Sequence, residues 1–169
     1  MKLSTKELTL CAMLTAMALG LSYLENLFPV LIPVPGVKLG LANIVTLFAL
    51  YALGGGQAML ILLGRCILGA VFAGNMNAMI FSVLGGVTAM LVMILLSRSK
   101  KLSVYGVSIG GAAGHNCGQI AAAMITLGNT APLYYLPILL GVSLGTGAVT
   151  GLVCAGVFRA LGRTGLMKG

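Results

Sequence analysis

The chain has 169 residues, of which 59% are hydrophobic and only 7% charged, against roughly a quarter charged in an ordinary soluble domain. Mean hydropathy is +1.11. Ten Lys/Arg and two acids cannot supply the polar shell of a water-soluble fold, so the composition specifies an all-α integral membrane protein.

The net charge of +8 arises without a single Asp. Its bases stand at the ends of apolar runs rather than in a polar, aromatic-rich patch, which excludes nucleic acid as the partner and makes the lipid bilayer the first one. Four cysteines, Cys11, Cys66, Cys117 and Cys154, are scattered singly through apolar segments. Without a CxxC pair or a neighbouring His they suggest small buried side chains, not a disulfide framework or a metal site.

A bilayer core about 30 Å thick needs around 20 mostly apolar residues per helix. Six such runs with short connections make one domain over 1–169. The first, 5–27, opens on Ser4-Thr5-Lys6-Glu7, a capping box whose side chains satisfy the free amides of the first turn. Its length, and the absence of a small-residue cleavage site after it, argue against a cleaved signal peptide. A proline-rich stretch, Pro29 to Gly36, follows as a non-helical connection.

The second run is 39–53, and Gly54-Gly55-Gly56 turns the chain into the third, 57–72. Both are short, which suits helices that are tilted, broken or sheltered by protein. Gly74-Asn75-Met76-Asn77 interrupts the pattern before the fourth run, 78–97. A polar loop at Arg98 to Lys101 leads to the fifth, 104–127. Gly128 to Pro132 then turns into the sixth, 133–161.

Positive charge orients the bundle. With the N-terminus inside, Lys2, Lys6, Arg98, Lys100, Lys101, Arg159, Arg163 and Lys168 are cytoplasmic. Both termini are then cytoplasmic in a multi-pass cell-membrane protein. Lys38 and Arg65 are the two bases this rule does not account for.

An ionisable group at membrane depth is costly unless it is paired or lines a wet cavity, which marks it as a functional candidate. Arg65 falls mid-helix in the third run, Glu25 near the outer end of the first, Lys38 just before the second and His115 in the fifth. Asn43 lies one turn into the second run, Asn75 and Asn77 in an outer loop. Asn116 and Gln119 accompany His115, and the four-residue step puts His115 and Gln119 on one helical face. A pocket opening outward would collect this set, and two bases with one acid and an imidazole suit an anionic or strongly polar ligand. Structural roles stand beside that reading. Glu25 can pair internally with Arg65 or Lys38, His115 can be an interhelical hydrogen-bonder, and Asn75 and Asn77 can be turn formers.

Glycines carry a packing signal. Gly106, Gly110, Gly114 and Gly118 form a smooth ridge every fourth residue, with Gly141/Gly145 and Gly147/Gly151 offering the same in the last run. Ala12 and Ala16 give a small-xxx-small face on the first. No Gly-Lys-Ser/Thr phosphate loop, Asp-rich magnesium motif or credible Ser/His/acid triad is present, so no enzyme activity, cofactor or metal is expected.

Taken together, Glu25, the segment Pro33-Val-Pro-Gly-Val-Lys38-Leu-Gly-Leu-Ala-Asn43-Ile, Arg65, Gly74-Asn75 and Gly111-Ala-Ala-Gly-His115-Asn116-Cys-Gly118-Gln119 resemble the Gx transporter family, often labelled heptaprenyl diphosphate synthase component I. The likeness covers nearly the whole chain. That family is similar in turn to the S components of energy-coupling factor (ECF) transporters, six-helix membrane proteins that capture vitamins from outside. The resemblance implies an S-component-like bundle. Its pocket would use Glu25, Lys38, Asn43, Arg65, Asn75, His115, Asn116 and Gln119, with Arg65 and Lys38 on an anion. It also implies that Ala12 and Ala16 dock a membrane coupling protein that carries separate ATPase subunits. The substrate would be a small polar, anionic or vitamin-like compound near isoprenoid, quinone or flavin metabolism. The alternatives are a non-catalytic membrane subunit of a prenyl diphosphate synthase or redox complex, and a stand-alone permease or channel.

Overall fold

The computed structural model describes residues 4–27, 40–99 and 101–163. They form six helices: α1 (Thr5–Leu27), α2 (Leu41–Ala52), α3 (Gly55–Ala73), α4 (Met76–Ser97), α5 (Val104–Leu127) and α6 (Leu136–Arg163), the last preceded by a 3-10 turn over Ala131–Tyr135. No strand occurs among the described residues. Lys38 and the proline-rich 29–36 segment lie outside them.

Local chemistry sets the boundaries. At the start of α1, Ser4 N donates to Glu7 Oε2 at 2.8 Å and Glu7 N to Ser4 Oγ at 3.3 Å, the expected capping box. Leu53 and Gly54 alone turn between α2 and α3, and Gly55 already opens α3. Gly74 ends α3 at φ +60°, a left-handed C-cap that a side chain would strain. Asn75 then accepts from Ala78 N at 3.1 Å, so α4 begins two residues before the expected start. Pro132 falls in the 3-10 turn, where its missing N–H costs no helical bond, and the α-helix proper begins only at Leu136.

Four segments are long and apolar enough to cross a membrane: Thr5–Glu25, Gly55–Ala73, Met76–Ser97 and Ala131–Leu161. The other two helices fall short for different reasons. α2, of 12 residues, reaches only about 18 Å. α5 has the length, at 24 residues, but glycines and the His115, Asn116 and Gln119 group dilute its hydropathy. Both are sheltered by their neighbours.

The helices close a ring in the order α1, α3, α4, α5, α6, α2, with α2 also reaching α3 and α4 across it. Leu47, Ile61, Leu62, Met90, Val107 and Cys154 are fully buried where they meet. Gly110, Gly114 and Gly118 of the α5 ridge face α4, whereas Gly106 lies against Leu102 ahead of the helix. A Cβ at Gly118 would stand 2.5 Å from the Leu84 carbonyl oxygen, and one at Gly114 would stand 3.0 Å from Val92. On α6, a Cβ at Gly147 would stand 2.6 Å from Ile109 Cα. These pairs let backbones approach as small-xxx-small motifs do. Gly141 and Gly145 do not share this role, since nothing lies within 4 Å of either. Cys11, Cys66 and Cys154 are buried as expected, but Cys117 is exposed.

The outer surface is apolar, with Met13, Val71, Phe72, Leu95, Ile125 and Leu144 all exposed, as befits helices surrounded by lipid. The tyrosines gather at its two ends. Tyr23, Tyr134 and Tyr135 ring one end; Tyr51 and Tyr105 stand toward the other, as in the aromatic belts of membrane proteins. The second of these ends also carries exposed Lys6, Arg98, Lys101 and Arg159, whereas the first has no Lys or Arg among the described residues.

Because α4 and α5 meet backbone to backbone, Gly118→Val is expected to destabilise the bundle by about 2 kcal/mol or more. Gly141→Ala, with open space around it, is expected to leave the melting temperature unchanged or slightly raised. Thermal unfolding of both variants in mild detergent checks the pair.

Candidate functional site

At the end of the bundle marked by Tyr23, Tyr134 and Tyr135, a chamber of about 150 Å³ opens between α1, α2, α3, α4 and α5. Five residues singled out from the sequence meet on its wall: Glu25, Asn43, Arg65, His115 and Gln119. They arrive from four helices, α1, α2, α3 and α5, each by a definite local cause.

Glu25 stands at the end of α1 and takes the Gly40 amide on its Oε1 at 2.5 Å. Gly40 holds a left-handed conformation, φ +79°, which turns its N–H back toward α1 and starts α2 beside it. Asn43, in the first turn of α2, thereby comes level with α3. Its Oδ1 accepts from Arg65 Nη2 at 3.0 Å, and Ser22 Oγ on α1 accepts from Nη1 at 3.4 Å. Arg65 lies about 12 Å below the Ala73 end of α3, well inside the bundle.

Among the described residues the Arg65 guanidinium is therefore held by two neutral oxygens and by no ion pair. Glu25 faces the same chamber, yet its carboxylate bonds to backbone. Arg65 Nε is buried with no hydrogen-bond partner among the described residues, and so is Gln119 Oε1. One unmet donor and one unmet acceptor thus belong to two residues of the chamber wall. An unmet polar group in a buried setting costs about 1–3 kcal/mol.

His115 and Gln119 reach the chamber from one face of α5, as their four-residue spacing requires. Gly85 of α4 makes the room: a Cβ there would stand 3.0 Å from His115 Cε1 and 3.1 Å from Gln119 Cγ. Beneath the chamber, Asn43 also borders a cavity of about 20 Å³ with Ser108 and Thr150, space for about one water.

Two expected site residues are placed elsewhere. Asn75 is exposed outside the chamber wall, and its side chain is used as the cap of α4. Asn116 is buried on the opposite side of α5, where Nδ2 donates to the Leu139 carbonyl at 2.7 Å and ties α5 to α6. Adjacent helical residues diverge by about 100°, so His115 and Asn116 cannot share a face. Lys38 lies outside the described residues. Ala12 and Ala16 are exposed on the outer face of α1.

Sequence reasoning missed Ser22, Gly40, Ser82 and Gly85 at or beside this site. Ser22 was accessible, since it lies three residues before Glu25 and hence on the same face of α1. The roles of Gly40 and Gly85 depend on helix placement, which leaves no local signal.

No curated protein and no solved structure matches the chain. The profile of the family described as heptaprenyl diphosphate synthase component I matches residues 14–157, a span that includes α2 to α5 entire and every chamber residue. The chain is a helical membrane protein that belongs to the heptaprenyl diphosphate synthase component I family.

Proposed function

We propose that this protein is the substrate-binding membrane component of an ECF-type importer, taking a small anionic or strongly polar metabolite from the outer side. The observation that carries this reading is Arg65. A fixed positive charge is kept inside a mostly apolar bundle, held by Asn43 and Ser22, beside a chamber with unmet hydrogen-bonding groups. An arginine at membrane depth costs about 3 kcal/mol or more. A helix bundle that needed only packing would do better with an aliphatic residue there.

In this reading the basic end is cytoplasmic, following the positive-inside rule. The chamber then opens outward. Arg65 attracts and anchors the anion, while Asn43 and Ser22 fix the guanidinium plane. Gln119 and His115 select the groups that reach the chamber floor, and Glu25 holds α2 in position through Gly40. With no phosphate-binding loop in the chain, the energy comes from separate ATPase subunits through a coupling protein. The exposed Ala12/Ala16 face of α1 is the docking surface assigned to that protein.

The family description favours a second reading, a membrane subunit without catalytic residues that accompanies a prenyl diphosphate synthase. A chain without Asp lacks the acidic clusters that hold magnesium for diphosphate chemistry, so the catalysis would belong to the partner.

Affinity purification from native membranes separates the two readings. An importer component is expected to bring down a membrane coupling protein with ATPase subunits, and Ala12→Leu with Ala16→Leu is expected to release them. Recovery of a soluble prenyl synthase instead, insensitive to those changes, would decide for the second reading. Uptake provides a further check. Arg65→Ala is expected to abolish uptake of an isotope-labelled medium component that depends on this protein, at unchanged membrane abundance. By contrast, Asn116→Ala is expected to cost about 0.6–2 kcal/mol of stability through the lost α5–α6 bond, and Asn75→Ala about 1 kcal/mol through the lost cap. Both should leave uptake intact, because neither side chain reaches the chamber.

A further inference from the structure

The chamber holds two opposite charges that do not pair with each other. Glu25 and Arg65 both line it, yet each is held by neutral groups. Glu25 takes the Gly40 amide on Oε1, and its Oε2 accepts from none of the described residues. Arg65 spends one N–H of Nη1 on Ser22 and one of Nη2 on Asn43. The second hydrogen of each terminal nitrogen is spent on none of the described residues. Both residues are part-buried rather than buried, so each keeps accessible surface at the chamber it borders. Ser22 sets their offset. It bonds the guanidinium, and Glu25 follows three residues later on α1, a rise of about 4.5 Å. The carboxylate therefore lies about that far from the guanidinium along the bundle, toward the Leu27 end.

We propose that the chamber takes a small zwitterion, an amino acid whose carboxylate sits on Arg65 and whose ammonium sits on Glu25. This deepens the importer reading and rests on it for the chamber being the ligand site. Charge balance is the first support. With His115 neutral, the described lining carries one acid and one base. A plain anion would reach Arg65 only by entering beside Glu25, and a plain cation would meet the converse. Away from bulk water such like-charge contacts are costly, whereas a ligand with both charges in the complementary order satisfies each wall. Hydrogen bonding gives the same answer. An ionised Glu25 can only accept and Arg65 can only donate, which matches an ammonium that only donates and a carboxylate that only accepts. Size sets the scale. A space of about 150 Å³ is below the roughly 300–1,000 Å³ of drug-sized pockets, and an offset near one helical turn suits charges a few bonds apart. Ala70, Ala73 and Ala78 give the short carbon chain an apolar wall.

The test uses glycine, β-alanine and 4-aminobutyrate as probes, each beside the simple carboxylic acid and the simple amine of the same length, with the full chain in lipid nanodiscs. Binding is read by ligand-observed NMR. The best of the three amino acids is expected to bind saturably, at least about tenfold tighter than its matched acid or amine, a difference of about 1.4 kcal/mol. Glu25→Gln keeps a side-chain oxygen for the Gly40 amide and removes only the charge. It is expected to weaken that amino acid by about tenfold or more, and to bind the matched acid no more weakly than the wild type does. Arg65→Leu is expected to lose both amino acid and acid. Arg65→Gln, which can still donate to Asn43, replaces it should the first variant not fold.

A matched acid that binds as tightly as its amino acid would overturn the proposal, as would amino acid binding that Glu25→Gln leaves untouched. In either case a loss on removing Arg65 would still support the chamber as the site of an anion. Binding indifferent to the loss of Arg65 would instead sink the reading of the chamber itself. Failure of all three amino acids to bind the folded wild type would also overturn the proposal.

Discussion

The arrangement of this protein turns on keeping one guanidinium charged inside a helix bundle. Arg65 cannot snorkel to either surface from the middle of α3, so the fold must bring polar groups to it. Asn43 and Ser22 do so from two other helices. That requirement explains the short α2, which carries Asn43 into the bundle rather than spanning it. It also explains the Gly40 turn, whose N–H anchors the start of α2 to Glu25. Among the described residues both hydrogen-bond acceptors of the guanidinium are neutral oxygens.

Close helix packing supplies the rest of the geometry. Small residues at the α4–α5 and α5–α6 contacts let a polar helix be enclosed by apolar ones. α5 could not cross a bilayer alone on hydropathy. Held between α4 and α6, with Asn116 tied to the Leu139 carbonyl, it can present His115 and Gln119 inward at no cost to its lipid-facing side. Gly85 then admits those two side chains against α4. The same residues that pack the bundle therefore shape the space within it.

Much of this was legible in the sequence. Membrane class, helix number and the capping box followed from hydropathy and short-range hydrogen-bonding patterns. Glu25, Arg65, His115 and Gln119 were marked by the expense of placing such groups among apolar residues, and the i, i+4 step correctly paired the last two. The same reasoning could not say which way a polar residue points when it has a local use. Asn75 is spent on the α4 cap, and Asn116 on an α5–α6 bond one position round the helix from His115. Nor could it find Gly40 or Gly85, whose importance arises only when separate helices meet. The second run was expected to be short and the fifth to cross the membrane like the longer runs, whereas the third, also expected to be short, is long and apolar enough to span. For the second and fifth, spanning capacity depends on neighbours, not on their own composition.

Membership of the heptaprenyl diphosphate synthase component I family places the chain beside prenyl metabolism, while the function proposed for Arg65 is that of a receptor for an anion. These agree if the protein handles a metabolite rather than making one. The most direct measurement is mass spectrometry of the small molecules that co-purify with the protein in mild detergent, wild type against Arg65→Leu. The expected result is one compound with an anionic group, retained near one per protein by the wild type and absent from the folded variant. A wild-type preparation carrying no small molecule, or one carrying the same molecule at the same level as Arg65→Leu, would contradict the assignment of Arg65 as the anchor of a bound ligand.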